Sequence, residues 1–136
     1  PLDLATLCLT LLFSLGIQIG TNFANDYFDF INAADTSQRV GPKRAVQQGW
    51  IQPKTMLWIS LICFGFDLVC AIPLMLIAGT WSMPIAVLCG ALGILYTGGP
   101  KPLGYLGLGE LLVFIFFGPL AIMGTFFLQT GMITKA

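Results

Sequence analysis

Four apolar segments alternate with polar ones along the chain, and the apolar segments have the composition of membrane-spanning helices. The predicted spans are residues 4–30, 55–77, 83–97 and 108–129. A helix rises about 1.5 Å per residue, so roughly 20 apolar residues cross the ~30 Å hydrocarbon core of a bilayer. The third segment is short and must be extended, tilted or covered by protein at its end. The pattern predicts an all-α fold, a polytopic transmembrane helix bundle.

Composition supports a membrane protein and removes several classes of function. Hydrophobic residues fill 57% of the 136 positions and charged residues only 9%, against about 25% in soluble domains. The net charge is zero, so no basic face exists for a nucleic acid. Histidine is absent, which removes the commonest general base. The four cysteines show no C-x-x-C pair and are interpreted as small apolar residues.

Two polar loops, residues 31–54 and 98–107, hold most of the basic residues. These are Arg39, Lys43, Arg44, Lys54 and Lys101. Because alternate loops of a helix bundle share one side of the membrane, both loops are expected on the same face. The positive-inside rule makes that face cytoplasmic.

The end of the first span is unusually polar. Spacings of four, three and four residues place four polar side chains on one helix face, namely Gln18, Asn22, Asn25 and Asp29. Two further acids, Asp26 and Asp35, lie close by in the sequence. Carboxylate and amide oxygens suit Mg²⁺, which commonly shares phosphate oxygens as well. The alternative is a helix end solvated at the interface, but so many polar groups in a spanning helix favour a functional site.

A basic group follows the acids, comprising Arg39, Lys43 and Arg44 around Gly41-Pro42. Guanidinium and ammonium groups bind phosphate oxygens. The alternative is ordinary juxtamembrane charge, which alone would be preferred. The short distance to the acidic residues favours anion binding instead.

The second polar loop, Tyr96 to Glu110, is rich in glycine. Its glycines allow close approach of the backbone to a ligand, Lys101 adds a cation, and Tyr105 adds a hydroxyl. A re-entrant structural turn explains the glycines equally well. Glu110 stands at a helix start, where an acid also favours the helix dipole. Asp67, in the middle of the second span, has no visible partner and is assigned no role.

These motifs together resemble the UbiA-type intramembrane prenyltransferases. The likeness rests on Asn25-x-x-x-Asp29 within NDYFD, on R-x-G-P-K-R ending at Arg44, and on YTGGPKPLGYLGLGE. The general family pattern, N-x-x-x-D-x-x-x-D, meets Ala33 at its last position, with an acid two residues later at Asp35. That departure is typical of the menaquinone branch of the family, which prenylates 1,4-dihydroxy-2-naphthoate.

The resemblance implies a nine-helix fold, of which these residues would form about helices two to five. It also implies a second aspartate-rich motif, which this sequence lacks. The chain begins with proline and is interpreted as a partial UbiA-type domain over residues 1–136, a fragment that alone is expected to be inactive.

The resemblance also implies roles for individual residues. A polyprenyl diphosphate donor would be held through Mg²⁺ by Asn25, Asp26, Asp29 and Asp35. The diphosphate itself would be bound by Arg39, Lys43, Arg44 and Lys101. The aromatic acceptor and the allylic group would be contacted by Asn22, Tyr96, Tyr105 and Glu110. Prenyl transfer to the naphthoate would give demethylmenaquinone with loss of CO2 and diphosphate, at the cytoplasmic face of a bacterial inner membrane.

Three alternatives remain open. The chain could belong to another UbiA-type aromatic prenyltransferase with a different acceptor. It could be part of a transporter, although transporters place their polar sites near the membrane midplane, and here only Asp67 lies there. It could also be a non-catalytic membrane segment that only packs against partners.

Overall fold

The computed structural model describes residues 2–34 and 42–131, and every regular element in them is helical. Helices α1 (Leu4–Ile31), α2 (Pro53–Ala78) and α3 (Ser82–Leu95) form the packed part of the bundle. Helix α4 (Gly109–Ile115) continues through a π-helical turn (Phe116–Leu120) into α5 (Ala121–Thr130). The predicted all-α helix bundle is confirmed.

Length and composition make three helical stretches capable of crossing a membrane. They are Leu4–Ile31, Pro53–Ala78 and the combined stretch Gly109–Thr130, whereas Ser82–Leu95 is apolar but shorter. The chain after α3 keeps helical hydrogen bonding for one more turn, since the N–H of Gly98 donates to the carbonyl of Ile94 at 2.9 Å. Gly99 then adopts a φ of 87°, a left-handed conformation that favours glycine and ends the helix.

The last span is interrupted where proline enters it. Gly118 has φ −99° and ψ −109°, outside the helical region, and Pro119 follows at once. Proline lacks an N–H and its ring clashes with the preceding turn, so the backbone departs from α-helical geometry there. The Gly118-Pro119 pair therefore interrupts the last span with a π-helical turn.

Helices α1 and α2 approach closely because small residues repeat along one face of α1. Gly16, Gly20 and Ala24 are all buried and lie four residues apart. The hydroxyl of Ser60 on α2 donates to the carbonyl oxygen of Gly20 at 2.8 Å. Small residues at this spacing allow membrane helices to bring their backbones together. Phe64 of α2 fills the space beside Gly20 and also contacts the glycine face of α3.

The start of α1 is tied to the end of α5. The side chain of Asp3 caps α1 by accepting from the N–H groups of Ala5 and Thr6, and the Thr6 hydroxyl lowers the pKa of this carboxyl. The amide of Gln129 exchanges two hydrogen bonds with the backbone of Asp3, at 3.0 and 3.1 Å. These contacts place both chain ends of the bundle on the side opposite the two polar loops.

Asp67 lies at the contact between α1 and α2, and its side chain is 1% exposed. Its carboxyl group covers Gly16, and neither carboxyl oxygen has a hydrogen-bond partner among the described residues. It also borders a cavity of about 250 Å³ between α1, α2 and α3 whose other lining side chains are apolar.

Gly16→Ala should destabilise the bundle, because a Cβ at position 16 would overlap the Asp67 carboxyl and lie 2.7 Å from its Cγ. Overpacking of this kind costs about 1–3 kcal/mol. The expected result is a lower thermal unfolding midpoint in detergent, with partial recovery when Asp67→Ala is added. Gly65→Ala on α2 is the matched control, because a Cβ there meets nothing within 4 Å. Equal effects of the two alanines would contradict the close contact.

Candidate functional site

Asp29 near the end of α1 is the meeting point of the two polar loops. Its Oδ2 accepts a hydrogen bond from the Arg44 guanidinium in an ion pair of 3.2 Å. Its Oδ1 accepts from the hydroxyl of Tyr105 at 2.8 Å. The Asp29 side chain is buried, whereas Tyr105 is 55% exposed. One carboxylate therefore connects three segments that are far apart in the sequence.

Asp26, one helical turn earlier, contacts the first loop through its backbone. The Asp26 Oδ2 accepts the N–H of Ala45 at 3.0 Å. Its Oδ1 is buried and has no hydrogen-bond partner within the described residues. Among residues 2–34 and 42–131, Asp26 therefore uses one carboxylate oxygen to bind the loop backbone, and its second oxygen is unpartnered.

The amide side chains of α1 bind the beginning of the second loop. Asn25 Oδ1 accepts a hydrogen bond from the hydroxyl of buried Thr97 at 2.7 Å. The Asn32 Nδ2 donates to the carbonyl oxygen of the same Thr97 at 3.2 Å. The hydroxyl and the carbonyl group of Thr97 are thereby both attached to the end of α1.

The second loop folds back over the end of α3. The N–H groups of Leu103 and Gly104 donate to the carbonyls of Leu95 and Tyr96 at 3.1 and 2.9 Å. The Tyr96 ring lies against Gly104 and Gly109, and a Cβ at Gly109 would be 2.7 Å from its hydroxyl oxygen. Glycine is required at these positions for packing of the loop, which supports the structural explanation of the glycines.

The structure brings together five of the residues singled out in the sequence. They are Asn25, Asp26, Asp29, Arg44 and Tyr105. Tyr96 is half-buried and packs against Gly104 and Gly109 of the second loop. Asp35 and Arg39 lie outside the described residues.

The other predicted site residues are exposed side chains, namely Asn22, Lys43, Lys101 and Glu110. The amide of Asn22 donates to the carbonyl of Gln18 in its own helix at 3.0 Å. Glu110 lies in the first turn of α4, where an acid favours the helix dipole. Their binding roles stay predictions.

Two contributors were missed from the sequence. Thr97 and Asn32 each have ordinary polar side chains next to loops, where such residues are common. Only the fold-back of the second loop onto α1 shows that they meet. The sequence offers no signal that separates them from neighbouring polar residues.

The donor set suits a hard divalent cation that brings further oxygen ligands with it. Asp26 Oδ1 is buried and unpartnered in the described part of the chain, and the carboxylate of Asp29 lies one helical turn away, paired with the Arg44 guanidinium. No group of three or more Asp, Glu, His or Cys side chains converges within residues 2–34 and 42–131. Mg²⁺ is typically held by one or two carboxylates plus phosphate oxygens, so the residues fit it together with a diphosphate.

The fold and the cluster show which class of protein this is. It is a polytopic membrane helix bundle with a polar, acid-rich site at one end of its helices. The chain belongs to the UbiA prenyltransferase family, whose family model matches residues 1–136. The resemblance stated from the motifs is therefore confirmed.

Relatives of this chain include two bacterial proteins described as 1,4-dihydroxy-2-naphthoate octaprenyltransferase. The Mycobacterium tuberculosis protein is 40% identical over 121 residues, which cover 89% of this chain and 41% of the relative. The Bacillus subtilis protein is 38% identical over 128 residues, covering 93% and 41%. This chain spans about two fifths of the length of these relatives. No solved structure is a significant match.

A more distant relative comes from Dictyostelium discoideum. It is described as UbiA prenyltransferase domain-containing protein 1 and is 27% identical over 140 residues, covering 94% of this chain and 40% of the relative. The likeness of the chain thus extends beyond bacterial members of the family.

Thr97→Val should weaken attachment of the second loop, because it deletes the hydroxyl that binds Asn25 while keeping a side chain of similar shape. Loss of a hydrogen bond between partly buried groups costs about 1 kcal/mol. The expected observation is a lower unfolding midpoint and faster hydrogen exchange at Leu103 and Gly104. Thr10→Val is the control, since the Thr10 hydroxyl binds only the carbonyl of Thr6 in its own helix. A Thr97→Val protein as stable as the parent would contradict this attachment.

Proposed function

We propose that the whole protein containing this chain transfers a polyprenyl group from polyprenyl diphosphate to 1,4-dihydroxy-2-naphthoate, in a reaction that depends on Mg²⁺. The observation that carries the proposal is the cluster formed by Asp29, Arg44 and Asp26 at the end of α1, in a chain of the UbiA family. The bacterial relatives are described as 1,4-dihydroxy-2-naphthoate octaprenyltransferases, which supports the naphthoate as acceptor. The products are the hydroquinone form of demethylmenaquinone, CO2 and diphosphate.

Binding of the donor is assigned to the acidic and basic groups together. Asn25 and Asp29 supply oxygens for Mg²⁺, with Asp26 and Asp35 as further candidates. When bound, Mg²⁺ neutralises diphosphate charge and favours departure of the leaving group. Arg44 can exchange its Asp29 partner for phosphate oxygens, while Arg39, Lys43 and Lys101 are candidates for the remaining phosphate charge.

Bond cleavage and bond formation follow from this arrangement. The allylic C–O bond of the donor breaks, and its electron pair leaves with the diphosphate, whose charge Arg44 stabilises. The electron-rich naphthoate ring attacks the allylic carbon and forms the new C–C bond. The ring carbon carrying the carboxylate then loses CO2 and regains aromaticity. Tyr105, which contacts Asp29 and exposes its ring, is positioned to shield the allylic cation.

The membrane setting follows from the helices and the basic residues. Long apolar helices support an integral membrane protein. The basic residues of both loops favour the cytoplasmic face of a bacterial inner membrane as the location of the site. A polyprenyl donor would reach the site from the lipid, and the charged acceptor from water. Asn22, Tyr96 and Glu110 remain proposed contacts of the acceptor.

Asp29→Ala should abolish prenyl transfer in membranes containing the whole encoded protein, because it removes a cation ligand and the partner of both Arg44 and Tyr105. A fall of about 10²-fold or more is expected for loss of a group that stabilises the leaving charge. Radiolabelled polyprenyl diphosphate with 1,4-dihydroxy-2-naphthoate provides the assay. Glu110→Gln is the control, because Glu110 lies outside the Asp29 cluster. It should lower prenyl transfer less than Asp29→Ala does. Undiminished turnover by Asp29→Ala would disprove the site.

The acceptor and the metal are tested in the same assay. Product should form with 1,4-dihydroxy-2-naphthoate and not with 4-hydroxybenzoate, and it should disappear on chelation and return on addition of Mg²⁺. Product from hydroxybenzoate alone would refute the naphthoate assignment. Full turnover after exhaustive chelation would refute the dependence on a divalent cation.

A further inference from the structure

Asp26 holds the backbone of the first polar loop, whereas its neighbour Asp29 holds a side chain of the same loop. The carboxylate of Asp26 is buried and accepts the N–H of Ala45, 19 residues further along the chain, at 3.0 Å. The carboxylate of Asp29 accepts from the guanidinium of Arg44. The two acids are three residues apart and therefore lie on the same side of α1, one turn from each other.

The bond to Ala45 fixes a short helical turn. Within the loop, the N–H of Gln48 donates to the carbonyl of Arg44, and the N–H of Trp50 donates to that of Ala45, both at 3.0 Å. The first N–H groups of such a turn have no partner inside it, and a carboxylate oxygen is a favourable acceptor for them. Here the acceptor comes from another helix. Val46, the next residue, is buried and adds an apolar contact to the same turn.

The two attachments behave differently when a diphosphate binds. A diphosphate competes with Asp29 for the guanidinium of Arg44. The hydrogen bond from Ala45 to Asp26 involves only backbone on the loop side, so it survives this exchange. A loop that stays docked keeps the Arg44 guanidinium near the diphosphate. No further conformational entropy of the loop is then lost when the diphosphate binds.

We propose that Asp26 is a positioning residue that docks the loop around Ala45 onto α1 and so holds Arg44 at the diphosphate. The inference rests on the proposed function for the identity of the anion, but docking of the loop does not depend on it. It differs from the role predicted from the sequence, in which Asp26 binds the cation directly. Positioning requires one acceptor oxygen, whereas direct ligation or charge balance requires the carboxylate itself.

Limited proteolysis of the whole encoded protein in detergent tests the docking. Trypsin cleavage after Lys43 and Arg44, identified by mass spectrometry, reports release of the loop, while Lys101 is followed by Pro102 and resists cleavage. Asp26→Ala removes the acceptor, and Ala45→Pro removes the donor at a position where the start of a helical turn tolerates proline. Because Ala45→Pro also makes the bond after Arg44 resistant to trypsin, the rate of cleavage after Lys43 is the quantity compared across all variants. Each should raise cleavage about tenfold, as expected for loss of one hydrogen bond to a charged group.

Three comparisons decide the outcome. Asp26→Asn keeps an acceptor oxygen and should leave the loop protected. Asn32→Ala loosens only the contact to Thr97 and should also leave it protected. The double variant Asp26→Ala/Ala45→Pro should be cleaved no faster than either single variant, because both delete the same bond. Parent-like cleavage of Asp26→Ala, or additive effects in the double variant, would overturn the docking role.

Kinetics separates positioning from direct ligation. Asp26→Ala should raise KM for polyprenyl diphosphate about tenfold with a smaller change in kcat, and Asp26→Asn should restore KM towards the parent value. Loss of kcat in Asp26→Asn with a protected loop would show that the carboxylate acts directly and would overturn the proposal. If the parent protein transfers no prenyl group at all, the proposed function fails, while the proteolysis still decides whether Asp26 docks the loop.

Discussion

The close approach of α1 and α2 positions the whole polar site. Gly16, Gly20 and Ala24 let the two backbones come together, and the bond from Ser60 to Gly20 fixes their register. The acids begin two residues after Ala24, within about two helical turns of that contact. A shift of α1 along its axis, or a rotation about it, would therefore move Asp26 and Asp29 relative to the loops that bind them.

Burial of charge explains how the loops are organised. An ionised carboxylate removed from water is costly unless it is paired or hydrogen-bonded. Asp29 meets this requirement with Arg44 and Tyr105, one from each polar loop. Asp26 meets it in part with the backbone of Ala45 and retains one unpartnered oxygen within the described residues. The acids at the end of α1 thus organise the loops and also leave a negative site suited to a cation.

Asp67 shows the opposite arrangement at mid-membrane depth. It covers Gly16, and neither of its oxygens has a partner among the residues described. A polar group in this position limits which side chains α1 can carry, because any Cβ at position 16 meets the carboxyl. The contact therefore acts on packing, whereas the acids at the helix end act on the loops.

The sequence alone determined where the helices lie and that the polar end of α1, with Asn25 and Asp29, is the candidate site. Apolar length and the placement of Gly and Pro specify α1, α2 and the interrupted last span, because these are local properties of the backbone in a lipid environment. The spacing of Asn25 and Asp29 on one helix face is equally local. Only the tertiary structure decided that Tyr105 and Arg44 share Asp29, that Thr97 binds Asn25, and that Asp26 binds a backbone N–H. Those contacts join residues up to 76 positions apart, and they depend on how loops fold back over helix ends, which no local pattern specifies.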